Sequence, residues 1–438
     1  MIGQFKWKKH FLIFLKKGNN FMLEFIEKKF NDKYIFLSVF LLINYPIFYY
    51  IFEQLFNGLI PTFIINFIIK LLIYSFALFC FFCVTSKKRK NILKFSSIFI
   101  ILICLTFLID NSFFVLRFKI IIKFILNCVL LFYILYSIGD VEKILKNFYK
   151  MSYFNLFLCI LYYLQMLNNK TVLLSQGQTL SYILSFYSLI LIYYITSKFN
   201  GLDFFCLILD LFLLLQFGSR TILLVVLLYL FYRMFFLIWK KYLTLNLKKK
   251  KLLILFLVLL LGIGLLVLFN LKEISLFLYD FLMSKGIYNR FLRLLSEGTF
   301  LSSTSGRFDS FYTIIFDGIL SNPLGKGLAY DRVLIYQNYM LLNSTPVSFE
   351  GCYSHNFFLE YFITFGIPLG IFILYRVLRN IIKIFKKYNY KDIIILFFFI
   401  GFVPLLLTSS FLVYKNFWIF ISVILIIMKK EDKISEKN

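Results

Sequence analysis

Long apolar runs, broken by short and mostly basic stretches, dominate this chain. Twelve of them are long enough, or nearly so, to cross a bilayer core of about 30 Å. They fall at about 34–52, 63–85, 92–109, 120–138, 151–167, 179–196, 202–217, 221–239, 252–270, 357–375, 392–408 and 411–428. Their residues are continuously apolar instead of alternating, which excludes a transmembrane β-barrel. Lys70 inside the second run and the close pairs 202–217/221–239 and 392–408/411–428 fit the pattern least well. One extended polar segment interrupts the series, residues 271–356. It carries the turn sequences Ser302-Ser-Thr-Ser-Gly306, Ser321-Asn-Pro-Leu-Gly-Lys-Gly327 and Asn343-Ser-Thr-Pro346. Between them Arg307–Leu320 has helical periodicity, with Phe308, Phe311, Ile315 and Ile319 on one face. The pattern therefore predicts an all-α polytopic membrane protein with about 12 transmembrane helices and one large, partly helical extracytoplasmic loop. No internal repeat supports an inverted-repeat transporter.

Composition agrees: 61% of the residues are apolar, against about 45–50% in soluble domains. The formal net charge of +27 would fit a nucleic-acid binder, but the basic residues sit in short runs between apolar segments, where the positive-inside rule puts them. Nucleic acid is therefore not an expected partner. Charge also sets the orientation. Most of the 48 lysines and arginines fall on the side of the N-terminus, as in Lys87-Lys-Arg-Lys90 and Lys248-Lys-Lys-Lys251. Both termini are expected in the cytoplasm, with 271–356 outside. The expected order is a basic amphipathic N-terminus over 1–33, with Met22 an alternative start and no signal peptide, then nine spans over 34–270, the outer loop 271–356, three spans over 357–428 and a cytoplasmic tail over 429–438. Six of the seven cysteines lie in apolar runs and read as small hydrophobes. Cys80-Phe-Phe-Cys83 has redox spacing but lies within a span, and Cys352 has no evident partner, so no disulfide framework is expected.

Candidate chemistry concentrates where the polar segment meets the tenth span, in Gly351-Cys-Tyr-Ser-His-Asn-Phe-Phe-Leu-Glu360. His355 is one of two histidines in 438 residues. A histidine at a membrane interface can simply snorkel, but a neutral imidazole here can also act as a general base, with Asn356 or Glu360 orienting it. Arginines form the second element: Arg220 in Gly218-Ser-Arg-Thr221, and Arg290, Arg293, Arg307 and Arg332 in the outer segment. Arginine suits bidentate phosphate recognition and is costly at membrane depth. The bland reading of Arg290, Arg293 and Arg332 is solvated loop charge. Lys70, Asp210 and Arg233, all within spans, read as interhelical partners or snorkelling ends. Ser321–Gly327 lacks the spacing of a nucleotide-binding phosphate loop, and no residue cluster has metal-ligand spacing.

Three stretches together resemble the O-antigen polymerase and O-antigen ligase superfamily of bacterial surface-polysaccharide assembly. Gly218-Ser-Arg-Thr-Ile-Leu-Leu224 resembles the family's Ser-Arg motif at the outer end of a membrane helix. Ser305-Gly-Arg-Phe308 followed by Asn322-Pro-Leu-Gly-Lys-Gly327 resembles its loop signature. His355-Asn356, followed by Gly366, resembles its closing motif. The resemblance implies a GT-C-like glycosyltransferase that needs neither metal nor nucleotide sugar nor other cofactor. Its substrates would be polyprenyl-pyrophosphate-linked oligosaccharides, donor and acceptor, at the outer face of the bacterial cytoplasmic membrane, with a chain-length regulator protein as a candidate partner. Carried over by position, Arg220 and Arg307, with Arg290 or Arg293, would bind pyrophosphate, and His355 would deprotonate the acceptor hydroxyl.

The first functional reading is a polymerase joining lipid-linked repeat units. In the same fold, a ligase would move the finished glycan to lipid A core or protein. From other classes, a lipid-linked oligosaccharide flippase predicts short loops and a polar midplane, and a non-catalytic scaffold predicts tolerance of His355 substitution.

Overall fold

The computed structural model describes residues 32–56, 59–85, 89–166, 170–217, 219–244, 270–284, 292–293, 296, 311–342, 348–387, 391–408 and 410–435. Among them every regular element is helical. Helices α1 (Asp32–Leu55), α2 (Thr62–Thr85), α3 (Arg89–Ile109) and α4 (Phe114–Ile138) are followed by α5 (Val141–Met166), α6 (Lys170–Ser197), α7 (Gly201–Phe217) and α8 (Arg220–Thr244). Within the polar segment lie α9 (Leu271–Ser284), a π-helical stretch Ile314–Leu320 and α10 (Tyr330–Leu342). The chain closes with α11 (Phe357–Phe365), α12 (Ile367–Lys387), α13 (Lys391–Gly401), α14 (Val403–Thr408) and α15 (Lys415–Ser435).

Among the described residues, five helices are long and apolar enough to cross a membrane: Lys33–Leu55, Thr62–Cys83, Phe114–Ile138, Thr179–Ser197 and Thr221–Tyr242. Their outward faces are apolar: Phe63, Phe67 and Phe82 on α2 and Leu224, Phe231 and Phe235 on α8 are all exposed. Helices satisfy their backbone internally, so such faces need no polar solvent. The inward faces build one large core from α1, α2, α4 to α8, α13 and α15. Two smaller cores join the polar segment to the bundle. One contains Phe124, Leu328, Val333, Phe357 and Phe411, and the other Ile314, Ile335, Leu359 and Ile363.

Several expected elements differ in detail. The span expected at 357–375 is broken at Gly366 into α11 and α12, and that at 392–408 is interrupted at Phe402. The helix expected from 151 starts at Val141, so Lys143, Lys146 and Lys150 lie in its first turns. In the loop helix, the buried positions are Ile314, Gly318 and Ile319, whereas Phe311 is exposed. The reason is the π geometry: an i to i+5 repeat moves the buried stripe off the α-helical register on which Phe311 and Ile315 were paired. Nearly all of the basic N-terminus (1–31), nearly all of the span expected at 252–270, and Phe308 lie outside the described residues.

The polar segment is held on the bundle by two backbone-level devices. The first joins Asn322–Gly327 to the α11–α12 break. Lys326 and Gly327 donate to the carbonyls of Ile363 (2.9 Å) and Thr364 (3.1 Å), and Ile367 donates to Pro323 (2.7 Å). Gly325 (φ 84) and Gly366 (φ 75) lie in the left-handed region. A Cβ on Gly366 would stand 2.3 Å from the Leu324 carbonyl carbon, and one on Gly325 would stand 2.4 Å from the Gly366 nitrogen. Only glycine lets two backbones come this close. The second device is Arg117, wholly buried at the start of α4. Its guanidinium donates to the carbonyls of Leu328 (3.0 and 3.2 Å), Lys326 (3.0 Å) and Asp110 (2.8 Å), and pairs with the Asp110 carboxylate (3.0 Å). Thr106 Oγ1 accepts from Leu328 N–H at 3.0 Å.

Candidate functional site

His355 stands on the turn just before α11. Asn356 caps that helix: its Oδ1 accepts from the N–H groups of Phe358 (2.9 Å) and Leu359 (3.3 Å). A short polar side chain with extended backbone suits this position because it satisfies otherwise orphaned N–H groups. The turn is pinned on its other side as well. Ser354 N–H donates to Asp331 Oδ2 (3.1 Å), and Ser354 Oγ donates to the Asn356 carbonyl (3.0 Å). Between these anchors His355 takes a left-handed conformation, φ 49. Residues other than glycine seldom adopt it, and they persist there when their surroundings over-determine the backbone. The half-buried imidazole lies against the Tyr353 ring, with centroids 4.0 Å apart and planes tilted by 44°.

Behind the turn is a buried polar network. Arg332 is 1% exposed. Its guanidinium lies over the Tyr353 ring at 5.2 Å, donates to the Glu350 carbonyl, and reaches Ser410 Oγ at 3.4 Å. Ser410 Oγ donates to Glu360, whose other carboxylate oxygen accepts from Phe411 N–H at 2.8 Å. Burial pushes the Asp331 carboxyl up from its ordinary range, and the adjacent Arg332 charge opposes that shift. Burial also raises the Cys352 thiol, which donates to the Ser348 carbonyl at 3.4 Å. A thiol held protonated is a poor nucleophile, so the reactive candidate here is the imidazole.

The structure brings the Asn322–Gly327 and His355–Gly366 motifs together, one docked on the other. It places Asn356 and Glu360 on the same helix as the His355 turn, with their side chains engaged in the cap and with Ser410 and Phe411. Arg293 is half-buried, and its carbonyl accepts from Ser296 Oγ at 2.8 Å. Arg220 begins α8, which packs on α14, and α14 packs on α11. Arg290, Arg307 and the Arg220 side chain lie outside the described residues.

Arg332 corrects the reading of loop charge: it is buried against Tyr353 and has no solvated guanidinium. Asp331, Ser410 and Arg117 were not singled out at all. The one available signal was a charged pair, Asp331-Arg332, at the head of a helical stretch. Within the bundle, Arg233 is an interhelical partner. It bonds Thr196 Oγ1 (2.9 Å) and Asp392 (3.2 Å), and Asp210 accepts from Ser188 Oγ at 3.2 Å. Among the described residues no three His, Cys, Asp or Glu side chains are grouped to hold a metal ion.

In comparison with protein families, residues 205–374 fit the family model described as O-Antigen ligase. Comparison with curated proteins finds no match, and comparison with solved structures finds none. The matched region runs from α7 through the docked Asn322–Gly327 turn and the His355 turn into α12. Over residues 205–374 the chain is thus similar to the O-antigen ligase family, which supports the resemblance to the O-antigen ligase and polymerase superfamily.

Proposed function

We propose that this protein is a polysaccharide polymerase that joins oligosaccharide repeat units at the outer face of the cytoplasmic membrane, with each unit carried on polyprenyl pyrophosphate. In this reading one imidazole nitrogen of His355 takes the proton from an acceptor hydroxyl as that oxygen attacks the anomeric carbon of the donor. The new glycosidic bond forms while the bond from carbon to the pyrophosphate oxygen breaks. The electron pair leaves with polyprenyl pyrophosphate. Arg220 and Arg307, with Arg290 or Arg293, stabilise the growing charge on that leaving group. The chemistry asks for no metal, nucleotide sugar or other cofactor.

The observation that carries the reading is the His355 turn: a left-handed histidine fixed between the Asp331–Ser354 bond and the Asn356 cap, within the family match. General-base catalysis needs such a fixed imidazole and gives about 10²–10⁴-fold in rate. The second reading is a ligase, transferring the finished glycan to lipid A core or protein; the description of the matching family model favours it.

Gel analysis of surface glycan from cells carrying His355→Ala, Arg220→Ala or Arg307→Ala separates them. The polymerase reading expects single repeat units attached and no ladder. The ligase reading expects nothing attached and polymer retained on carrier lipid. An unchanged ladder in all three contradicts both.

A further inference from the structure

A second cluster of charge lies beside this site, and its lysines fall outside the family match. Lys70 on α2 is close enough to feel the charges of Lys123, Glu350 and Lys119. Lys123 holds both Glu350 carboxylate oxygens at 2.5 Å, and Lys119 approaches one at 3.4 Å. Lys70 and Lys415 stand over the same Tyr45 ring, at 5.8 and 5.9 Å. Around them Tyr45 donates to Asn66 (2.6 Å) and Tyr74 to Asn127 (2.8 Å). Among the described residues, Glu350 is the one carboxylate within ion-pair distance of any of these four lysines. Asn127 belongs to a π turn, Ile125–Val129, that interrupts α4 just after Lys123. Such turns are often found at functional sites.

Four cations from α2, α4 and α15, balanced by one carboxylate, leave an excess of positive charge among apolar helices, where it is costly. Lys415 opens α15 and Lys119 lies in the second turn of α4, while Lys70 and Lys123 lie in the third turns of α2 and α4. Glu350 also ties the cluster to the histidine turn, because its own carbonyl accepts from Arg332, which lies over Tyr353.

We infer that Lys70, Lys119, Lys123 and Lys415 form a second diphosphate site, which holds the pyrophosphate of a lipid-linked acceptor while its glycan reaches the His355 turn. This rests on the polymerase reading, which requires two lipid pyrophosphates at once. Lysine recognises phosphate as a point charge, and several together suit a mobile headgroup entering from the membrane.

Radiolabelled farnesyl pyrophosphate binding to the full chain in phosphatidylcholine nanodiscs tests it by equilibrium dialysis. Wild type should show two sites. Lys70→Gln/Lys123→Gln should weaken one of them by about ten-fold or more, and Lys70→Arg/Lys123→Arg should keep both. Arg220→Ala should weaken the other site. If Arg220→Ala acts and the Gln pair does not, this inference fails and the polymerase reading stands. If neither acts, both fail. A wild-type stoichiometry of one that the Gln pair leaves unchanged overturns the inference. Inorganic pyrophosphate binding the cluster as tightly as the farnesyl compound overturns the lipid assignment.

Discussion

His355 and Asn356 divide the work of one turn. Asn356 closes the helix, and His355, packed on the Tyr353 ring, is held in a backbone state it would not choose alone. Asn356→Ala should therefore lower stability by about 1 kcal/mol through the lost cap, read as a fall in thermal midpoint, with activity reduced only as far as the turn loosens. Arg332 acts differently. Its charge opposes the burial of Asp331, so Arg332→Ala leaves a buried carboxylate with less compensation. Removing one partner from a buried charged network costs about 3–5 kcal/mol; chemical denaturation of the purified protein measures the loss. Glu350 gives a pH signature. Burial pushes its carboxyl up, but the bond to Lys123 and the charges of Lys123 and Lys119 outweigh this and hold it below its ordinary value of 4.5. A depressed folded pKa means that the carboxylate stabilises the fold above the unfolded value and that this contribution is lost as pH falls through the folded one. Glu350→Gln should thus be less stable than wild type near neutral pH, and the difference should shrink as pH drops below 4.5. A gap that stays constant with pH would show that the pair does not operate.

Among the elements, the Asn322–Gly327 turn matters most. Its residues read in the sequence as a turn within a family signature, but nothing in a linear pattern tells where a turn docks. The structure supplies that: the turn packs backbone to backbone on the break at Gly366 and is held from the other side by Arg117. Gly366→Ala combines a left-handed φ with a collision against Leu324. Strain alone costs about 1–3 kcal/mol, so limited proteolysis should cut the 311–342 region faster than in wild type. Arg117→Lys should fail to rescue the fold. A lysine keeps the charge but cannot satisfy several carbonyls at once as the planar fork does. Periodicity failed at Ile314–Leu320 for a related reason: a π stretch changes the repeat, and only packing against α10 and α11 decides which register is buried.

For the whole molecule, the apolar pattern made an all-helical membrane architecture legible, because lipid demands long apolar helices whatever their packing. It gave no access to which helices meet. The lysines at 70, 119, 123 and 415 are far apart in sequence, and only the bundle gathers them around Tyr45 and Glu350. Arg233 and Asp392 meet for the same reason. His355, by contrast, stood out in the sequence, since histidine is so rare in this chain.

Initial rates of polymerisation, measured with the purified full chain and its own lipid-linked repeat unit, bear on the proposed base. His355→Ala should retain the wild-type thermal midpoint within about 2 °C and lose about a hundred-fold or more in rate. A correctly folded His355→Ala protein that keeps its rate within about three-fold of wild type would contradict the assignment of His355 as the catalytic base.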